Sequence, residues 1–395
     1  MNRARRNLVS RGLCACVLCG AHSLGLAKVL PSNLTPVVGP GYRPVDDDER
    51  GLWQSCEELE KELSASSLLV GDPRLTAYIT AVLAHLLPDR SADIRVYVVH
   101  DPEFNASMTP NGMMIVYTGL LARMRNEAQL AAVLGHECGH YLRRHTVQSW
   151  RNFKTKTGVA AFLSAVGVPG VAINQTLLLS LSSYSRALES EADAYGLELL
   201  TAGGYPPRAA AEIWSQLIAE RKASAAERKK RYRDTSIFST HPPNAERLQD
   251  LSDSAAVMER ASAGHPAYSD RRKEWLAAIA PLRPGLIEEQ VKLNDPGASL
   301  YLINALAQDG WDGTLLYYQG EVYRMREEPG DAALAAEAYA AAVKYRDAPA
   351  QAYRAYGYAQ IKAGKPEEGH KALQRYLQMS PDAPDALMIR SIIGP

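Results

Sequence analysis

Residues Ala132–His145 read AVLGHECGHYLRRH, and two histidines bracketing a glutamate decide how the rest of the chain is read. On an α-helix, positions i and i+4 lie about 40° apart, so His136 and His140 project from one face. Neutral imidazole nitrogens about one turn apart can grip one Zn²⁺ at roughly 2.0–2.1 Å. Glu137 lies beside that face, where its carboxylate reaches a water at the metal without taking a coordination place. Two ligands and a general base make up the HExxH pattern. Cys138 lies about 200° around from His136 and is not expected to be a ligand. With nine histidines in the chain, HExxH arises by chance in about one of a hundred such sequences, so it is judged with its surroundings. The competing reading is two surface histidines on an amphipathic helix. Ala131, Ala132, Val133, Leu134 and Gly135 are small or apolar, which predicts a buried turn. Buried imidazoles and a buried carboxylate need partners, and a metal supplies one to all three.

A catalytic zinc needs a third protein ligand and an open position. The stretch SYSRALESEADAYG (183–196) reads as a helix on which Glu189 and Asp193 share a face, with Arg186 one turn before. Glu191 lies about 200° from Glu189, so only one of the two can point at the same metal. Asp193 suits a supporting role, accepting a hydrogen bond from a ligand histidine and fixing its tautomer. Taken alone, such an acidic run is a solvated helix face; HECGH is what reverses that reading.

Around this centre, DIRVYVVHD alternates as a strand with Ile94, Val96 and Val98 on one face, and NGMMIVYTGLL offers a second strand after a turn at Asn111-Gly112. The pattern predicts one long helix from Glu127 to Trp150, preceded by helices over 46–66 and through PRLTAYITAVLAHLL. Residues 158–183 form the most apolar internal stretch, interrupted by Pro169, Asn174 and Gln175. It is too short to cross a bilayer and return; a core helix pair and a hairpin touching a membrane both stay open. The run ERKASAAERKKRYRD (220–234) is read as a solvated or mobile helix.

The ends have other textures. The start MNRARRNLVSR is basic, then comes a short apolar stretch, then Gly25-Leu26-Ala27, the pattern of a secretory signal peptide cleaved after Ala27. Twin-arginine export (Arg5-Arg6) and a lipoprotein site at Cys16 are the open variants. Removal of 1–27 leaves Cys56 and Cys138, too few for a disulfide framework and read as buried thiols. From Leu315 to Pro381 the chain is dense in Ala and Tyr, and Tyr353, Tyr356, Gly357, Gly369, Leu373, Tyr376 and Pro381 fall at the spacing of a tetratricopeptide unit. An upstream unit on Gly320, Tyr323, Ala335, Tyr339 and Ala342 fits if REEPGD is an insertion. Lys plus Arg and Asp plus Glu each number 44, and this zero net charge argues against nucleic acid as a partner.

HECGH, SRALESEAD, TAGGYPPRAA and FSTHPPNAERL, in that order and with NASMTPNGMMIVYTGLL upstream, resemble the HtpX/Ste-type zinc metallopeptidases (peptidase family forty-eight) over roughly residues 70 to 250. The family pattern R-x-x-E-x-x-A-D falls on Arg186, Glu189, Ala192 and Asp193. The resemblance therefore implies one Zn²⁺ per chain held by His136, His140 and Glu189, with Glu137 as catalytic base and Asp193 in support. With a signal peptide and C-terminal repeats, the chain is most similar to the periplasmic BepA/YfgC-like group, implicated in outer-membrane protein assembly and quality control. In that group the histidine of T-H-P can approach the zinc and an arginine six residues later lies near the site. Here these are His241 and Arg247. His241 is thus expected as a fourth ligand that would leave the resting enzyme self-inhibited, the alternative being a loop cap; His241 or Arg247 is also expected to stabilise the oxyanion. NASMTPNG departs from the apolar residue and paired glycines more usual in the family, which puts the substrate strand, read around Met113–Tyr117, in doubt.

The expected architecture is mainly α with a small β-sheet, an α+β gluzincin-like zinc metallopeptidase domain followed by an all-α tetratricopeptide-like module. Its parts are a signal peptide (1–27), a linker (28–45), the peptidase domain (46–262), a connecting segment (263–296) and the repeats (297–395). The expected product is an exported, periplasmic endopeptidase acting on envelope proteins. Outer-membrane assembly machinery is the expected partner of the repeats, with peripheral membrane contact through 158–183. The rivals are a chaperone or assembly factor with a locked zinc site, and a membrane-spanning quality-control protease, which would need two real spans.

Overall fold

A computed structural model describes residues 38–166, 184–229, 245–261 and 267–394. Helix α1 (Asp47–Ser64) begins at Asp46, whose side chain accepts from the Glu49 amide, and its first turn is acidic, as the positive end of a helix favours. Helix α2 (Pro73–Leu86) is capped in the same way by Asp72, with proline in its first turn. Three strands follow: β1 (Arg95–Val99), β2 (Ala106–Met108) and β3 (Met113–Tyr117). Their order is β1-β3-β2, with β3 parallel to β1 and antiparallel to β2, so that Ile115 pairs with Tyr97 on one side and Ser107 on the other. The strand expected to offer an edge, Met113–Tyr117, is therefore the central one; of the two outer strands, β1 is bridged further by Leu69, and the outer side of β2 is free among the described residues. Gly112 makes the reversal possible: its φ is +90°, and a Cβ there would lie 2.3 Å from the Asp93 carbonyl oxygen.

After α3 (Thr118–Arg123) comes α4 (Glu127–Leu142), capped by Asn126, whose side chain accepts from the Gln129 amide. The single helix expected over Glu127–Trp150 is two, because α5 starts afresh at His145 and runs to Val166. Between them Arg144 adopts a left-handed conformation with φ 59°, which costs a non-glycine residue about 1–2 kcal/mol. Its side chain explains why the turn holds. The buried guanidinium pairs with Glu49 of α1, donates to the Pro110 carbonyl at 2.8 Å and lies over the Tyr42 ring. Alongside, Leu52 and Cys56 of α1 pack against Val147 and Trp150 of α5.

Helices α6 (Arg186–Ala202), α7 (Arg208–Glu227) and α8 (Ala245–Ala261) complete the surroundings of α4. The crossing of α4 and α6 is made of glycine and alanine. A Cβ on Gly139 would stand 2.9 Å from the Ala192 carbonyl oxygen, and one on Gly196 would stand 2.9 Å from the His136 amide nitrogen. Backbone lies against backbone there, which draws the start of α6 towards the motif.

Eight further helices follow: α9 (Arg272–Ile279), α10 (Arg283–Lys292), α11 (Pro296–Leu306), α12 (Gly313–Arg326), α13 (Asp331–Ala342), α14 (Ala350–Lys362), α15 (Pro366–Met379) and α16 (Ala386–Ile393). The first two lie in the expected connecting segment, and Trp275 of α9 is fully buried, donating to the Met124 carbonyl at 2.9 Å. A second tie is the buried Arg123, held by Glu220 of α7 and by Gln290 of α10 at 2.6 Å each. Consecutive helices α12/α13 and α14/α15 pack as close pairs, with Gly320 against the Tyr339 ring and Gly357 against Leu373. Of the apolar stretch 158–183, residues up to 166 continue α5 and 167–183 lie outside the described residues. Among the described residues no helix is long and apolar enough to cross a membrane. The expected signal peptide also lies outside them.

Candidate metal centre and active site

Helix α4 carries His136, Glu137 and His140, and α6 brings Glu189 over them. All four are buried, at 9%, 3%, 1% and 3% exposure. The two Nε2 atoms stand 3.0 Å apart, and the Glu189 carboxylate oxygens lie 3.6 Å from His136 Nε2 and 3.7 Å from His140 Nε2. Tetrahedral zinc at ordinary bond lengths sets its ligand atoms about 3.3 Å apart, so these separations match three corners of one coordination sphere. Charge and lone pairs agree. Among the described residues the carboxylates of Glu137, Glu189 and Asp193 gather here with the Arg247 guanidinium, a largely acidic set that suits a divalent cation. A cation between the two Nε2 atoms also lets both keep an inward lone pair. Among the described residues, His136, His140 and Glu189 form the one group of three donors placed so that it could hold a metal ion.

Each ligand histidine is held from behind. His136 Nδ1 lies 2.9 Å from Asp193 Oδ1, which assigns the proton to Nδ1 and leaves Nε2 bare. Burial opposes the charge on Asp193, but Arg247 and the His136 hydrogen bond overcome it and hold the carboxyl well below the usual range. Arg247 spans Asp193 with Nε and Nη2, both at 2.6 Å, places Nη1 2.8 Å from Glu189, and lies over the Trp214 ring. The arginine expected near the site thus braces two carboxylates, and it does not line the adjoining cavity. Around His140, Tyr184 stacks on the ring with centroids 3.9 Å apart, and His145 Nδ1 lies 2.8 Å from His140 Nδ1. Burial pushes the pKa of His145 down.

Of the expected site residues, His136, Glu137, His140, Glu189, Asp193 and Arg247 come together, and His241 lies outside the described residues. Arg186 is on the surface, 3.9 Å from Glu246. Glu191 points away from the metal triad, as the helix angle requires, and meets Arg143 and His145 instead. Cys56 and Cys138 are free and buried, and burial pushes both thiols up, so neither offers a thiolate. His145 and Tyr184 were not singled out from the sequence. His145 ends the quoted motif, but on an unbroken helix it would lie about 140° from His140.

Beside the triad opens a pocket walled by His136, Glu137 and apolar side chains that include Val133, Leu197, Ile213 and Trp214. Asn105 and Ala106, at the start of the edge strand β2, close its other side. Asn105 is 4% exposed and its Oδ1 has no hydrogen-bond partner among the described residues.

Comparison with known proteins agrees with this geometry. Residues 73–255 match the model of peptidase family M48. The chain is 29% identical over 214 residues to the mitochondrial metalloendopeptidase OMA1 of Schizosaccharomyces pombe, covering 52% of this chain and 60% of that protein. It is 25% identical over 213 residues to the beta-barrel assembly-enhancing protease of Escherichia coli (strain K12), covering 50% and 42%. With the metalloprotease LoiP of the same strain the figures are 28% over 207 residues, 51% and 77%. The chain thus spans only 60% and 42% of the length of the first two relatives. Family match and buried triad fall on the same helices: the segment 73–255, which resembles peptidase family M48, is the one that brings His136, His140 and Glu189 together.

Proposed function

We propose that this chain is an exported zinc endopeptidase that hydrolyses peptide bonds in misfolded or stalled envelope proteins. The observation that carries the reading is the convergence of two imidazoles and a carboxylate on one buried point with Glu137 beside it. That donor set suits zinc, which when bound supplies a Lewis acid for the scissile carbonyl and a lowered pKa for water. Glu137 takes the proton of the attacking water and returns it to the leaving amine. An extended peptide adds to the free edge of β2 through main-chain hydrogen bonds. Asn105, at the cavity wall with its Oδ1 available, accepts an N–H of that peptide. The apolar wall receives a large apolar side chain next to the cleaved bond. Arg247 keeps Glu189 and Asp193 in place. His241 enters on the resemblance alone, as a fourth donor that would close the site.

The paired helices α12–α15 support a tetratricopeptide-like module that docks protein partners. The printed name of the beta-barrel assembly-enhancing relative favours outer-membrane assembly machinery among them. Metal analysis and casein digestion test the enzyme. Wild type and Glu137→Gln should each hold one zinc, and only wild type should digest casein; equal digestion by the two proteins would overturn the mechanism.

A further inference from the structure

The metal ligands are accounted for above; the buried imidazole behind one of them is not. His145 is fully buried, with Nδ1 2.8 Å from His140 Nδ1 and Nε2 3.3 Å from Glu191 Oε2. Glu191 is in turn paired with Arg143. Two Nδ1 atoms in contact can share only one proton, and this fixes the arrangement. For Nε2 of His140 to offer a lone pair to a metal, its proton must be on Nδ1. His145 then accepts at its own Nδ1, carries its proton on Nε2, and donates it to the Glu191 carboxylate. Each polar atom of this chain is satisfied in that state. The reverse state places a proton on His140 Nε2 and blocks the ligand position.

We infer that His145 is a positioning residue for the metal ligand His140, accepting its Nδ1 proton and tying it through Nε2–H to Glu191, so that the His140 Nε2 lone pair stays on the metal. The left-handed turn at Arg144 makes this possible, since it restarts the helix and swings His145 back over the last turn of α4. A metal-bound histidine generally gives its second nitrogen to a carboxylate, carbonyl or water, and loss of that partner weakens metal binding about 10–100-fold. In this chain the carboxylate acts through an intervening imidazole. The inference rests on the metallopeptidase reading.

The test is zinc affinity of the full chain, measured by competition with a chromophoric chelator. His145→Leu keeps bulk and removes the acceptor, and should weaken binding about 10–100-fold. His145→Gln can accept from His140 with its carbonyl and donate to Glu191 with its amide, and should return to within about threefold of wild type. Histidine-selective ¹⁵N spectra of the zinc-loaded wild type should show His145 as the Nε2–H tautomer. If His145→Leu does not fold, Glu191→Ala decides, with an expected loss of about threefold to tenfold because it acts one link further out. His145→Leu within about twofold of wild type, His145→Gln as weak as His145→Leu, the Nδ1–H tautomer, or an unaffected Glu191→Ala would each overturn the inference while a zinc-binding wild type stands. A wild type that binds no zinc overturns the metallopeptidase reading itself.

Discussion

His136 and His140 sit one turn apart on the same helix and face the same point, yet they are held in different ways. Behind His136 stands a carboxylate in direct contact, Asp193, itself clamped by Arg247. Behind His140 stands an imidazole, His145, with its carboxylate one step further out and partly exposed. The difference follows from topology. Asp193 lies one turn beyond Glu189 on α6, so a single crossing helix supplies both a ligand and a support. On the His136 side α6 supplies the support directly through Asp193, whereas on the His140 side its Glu191 acts only through His145. The His140 side is served from within the motif by a chain reversal. Equivalent ligands thus depend on unequal parts of the fold, one on packing between α4 and α6 alone, the other on the turn at Arg144 as well.

The comparison breaks if the ligands themselves are unequal, so the largest effects come first. His136→Ala and His140→Ala should both abolish zinc retention on dialysis and casein digestion. Glu137→Gln touches neither support and should lower kcat about 10²–10⁴-fold with zinc affinity unchanged, which steady-state kinetics and chelator competition separate. Asp193→Asn removes the direct carboxylate and should weaken zinc about 10–100-fold, more than Glu191→Ala does on the other side. Gly196→Ala pushes α6 from the His136 backbone; overpacking of that kind costs about 1–3 kcal/mol, read as a lower urea midpoint together with weaker zinc.

The smallest effect is the pH dependence of Asp193. Its carboxyl is held below the usual range, so the stability it lends is fully present above the unfolded value of about 3.9. That contribution is lost only as the pH falls through the depressed folded value. The difference in unfolding free energy between metal-free wild type and Asp193→Asn should therefore be flat above about pH 5 and shrink in stronger acid. A difference that grew towards acid would contradict the Arg247 clamp.

How much of this was legible in the sequence depends on the range of the interaction. The ligand faces follow from helical spacing alone, and so does the divergence of Glu191 from Glu189. The small residues Gly135, Gly139, Ala192 and Gly196 sit in view, but that they face one another is a tertiary fact. The helix break was hidden because Arg144 carries no glycine, proline or asparagine signal. Its positive φ is imposed by partners 95 and 34 positions away, Glu49 and Pro110. Sheet order was hidden for the same reason: β1 and β3 pair across the intervening β2, which alternation within a strand does not encode.

The clamp on Arg144 also bears on what counts as a folding unit. Glu49 lies in α1, ahead of the segment matched by the family model, which begins at residue 73. A chain shortened to that segment would keep every metal donor but strand a buried guanidinium without its carboxylate, a loss of about 3–5 kcal/mol for a broken buried pair. The turn that aims His145 would relax with it. The segment that carries the candidate site thus borrows its rigidity from a helix that supplies none of its donors.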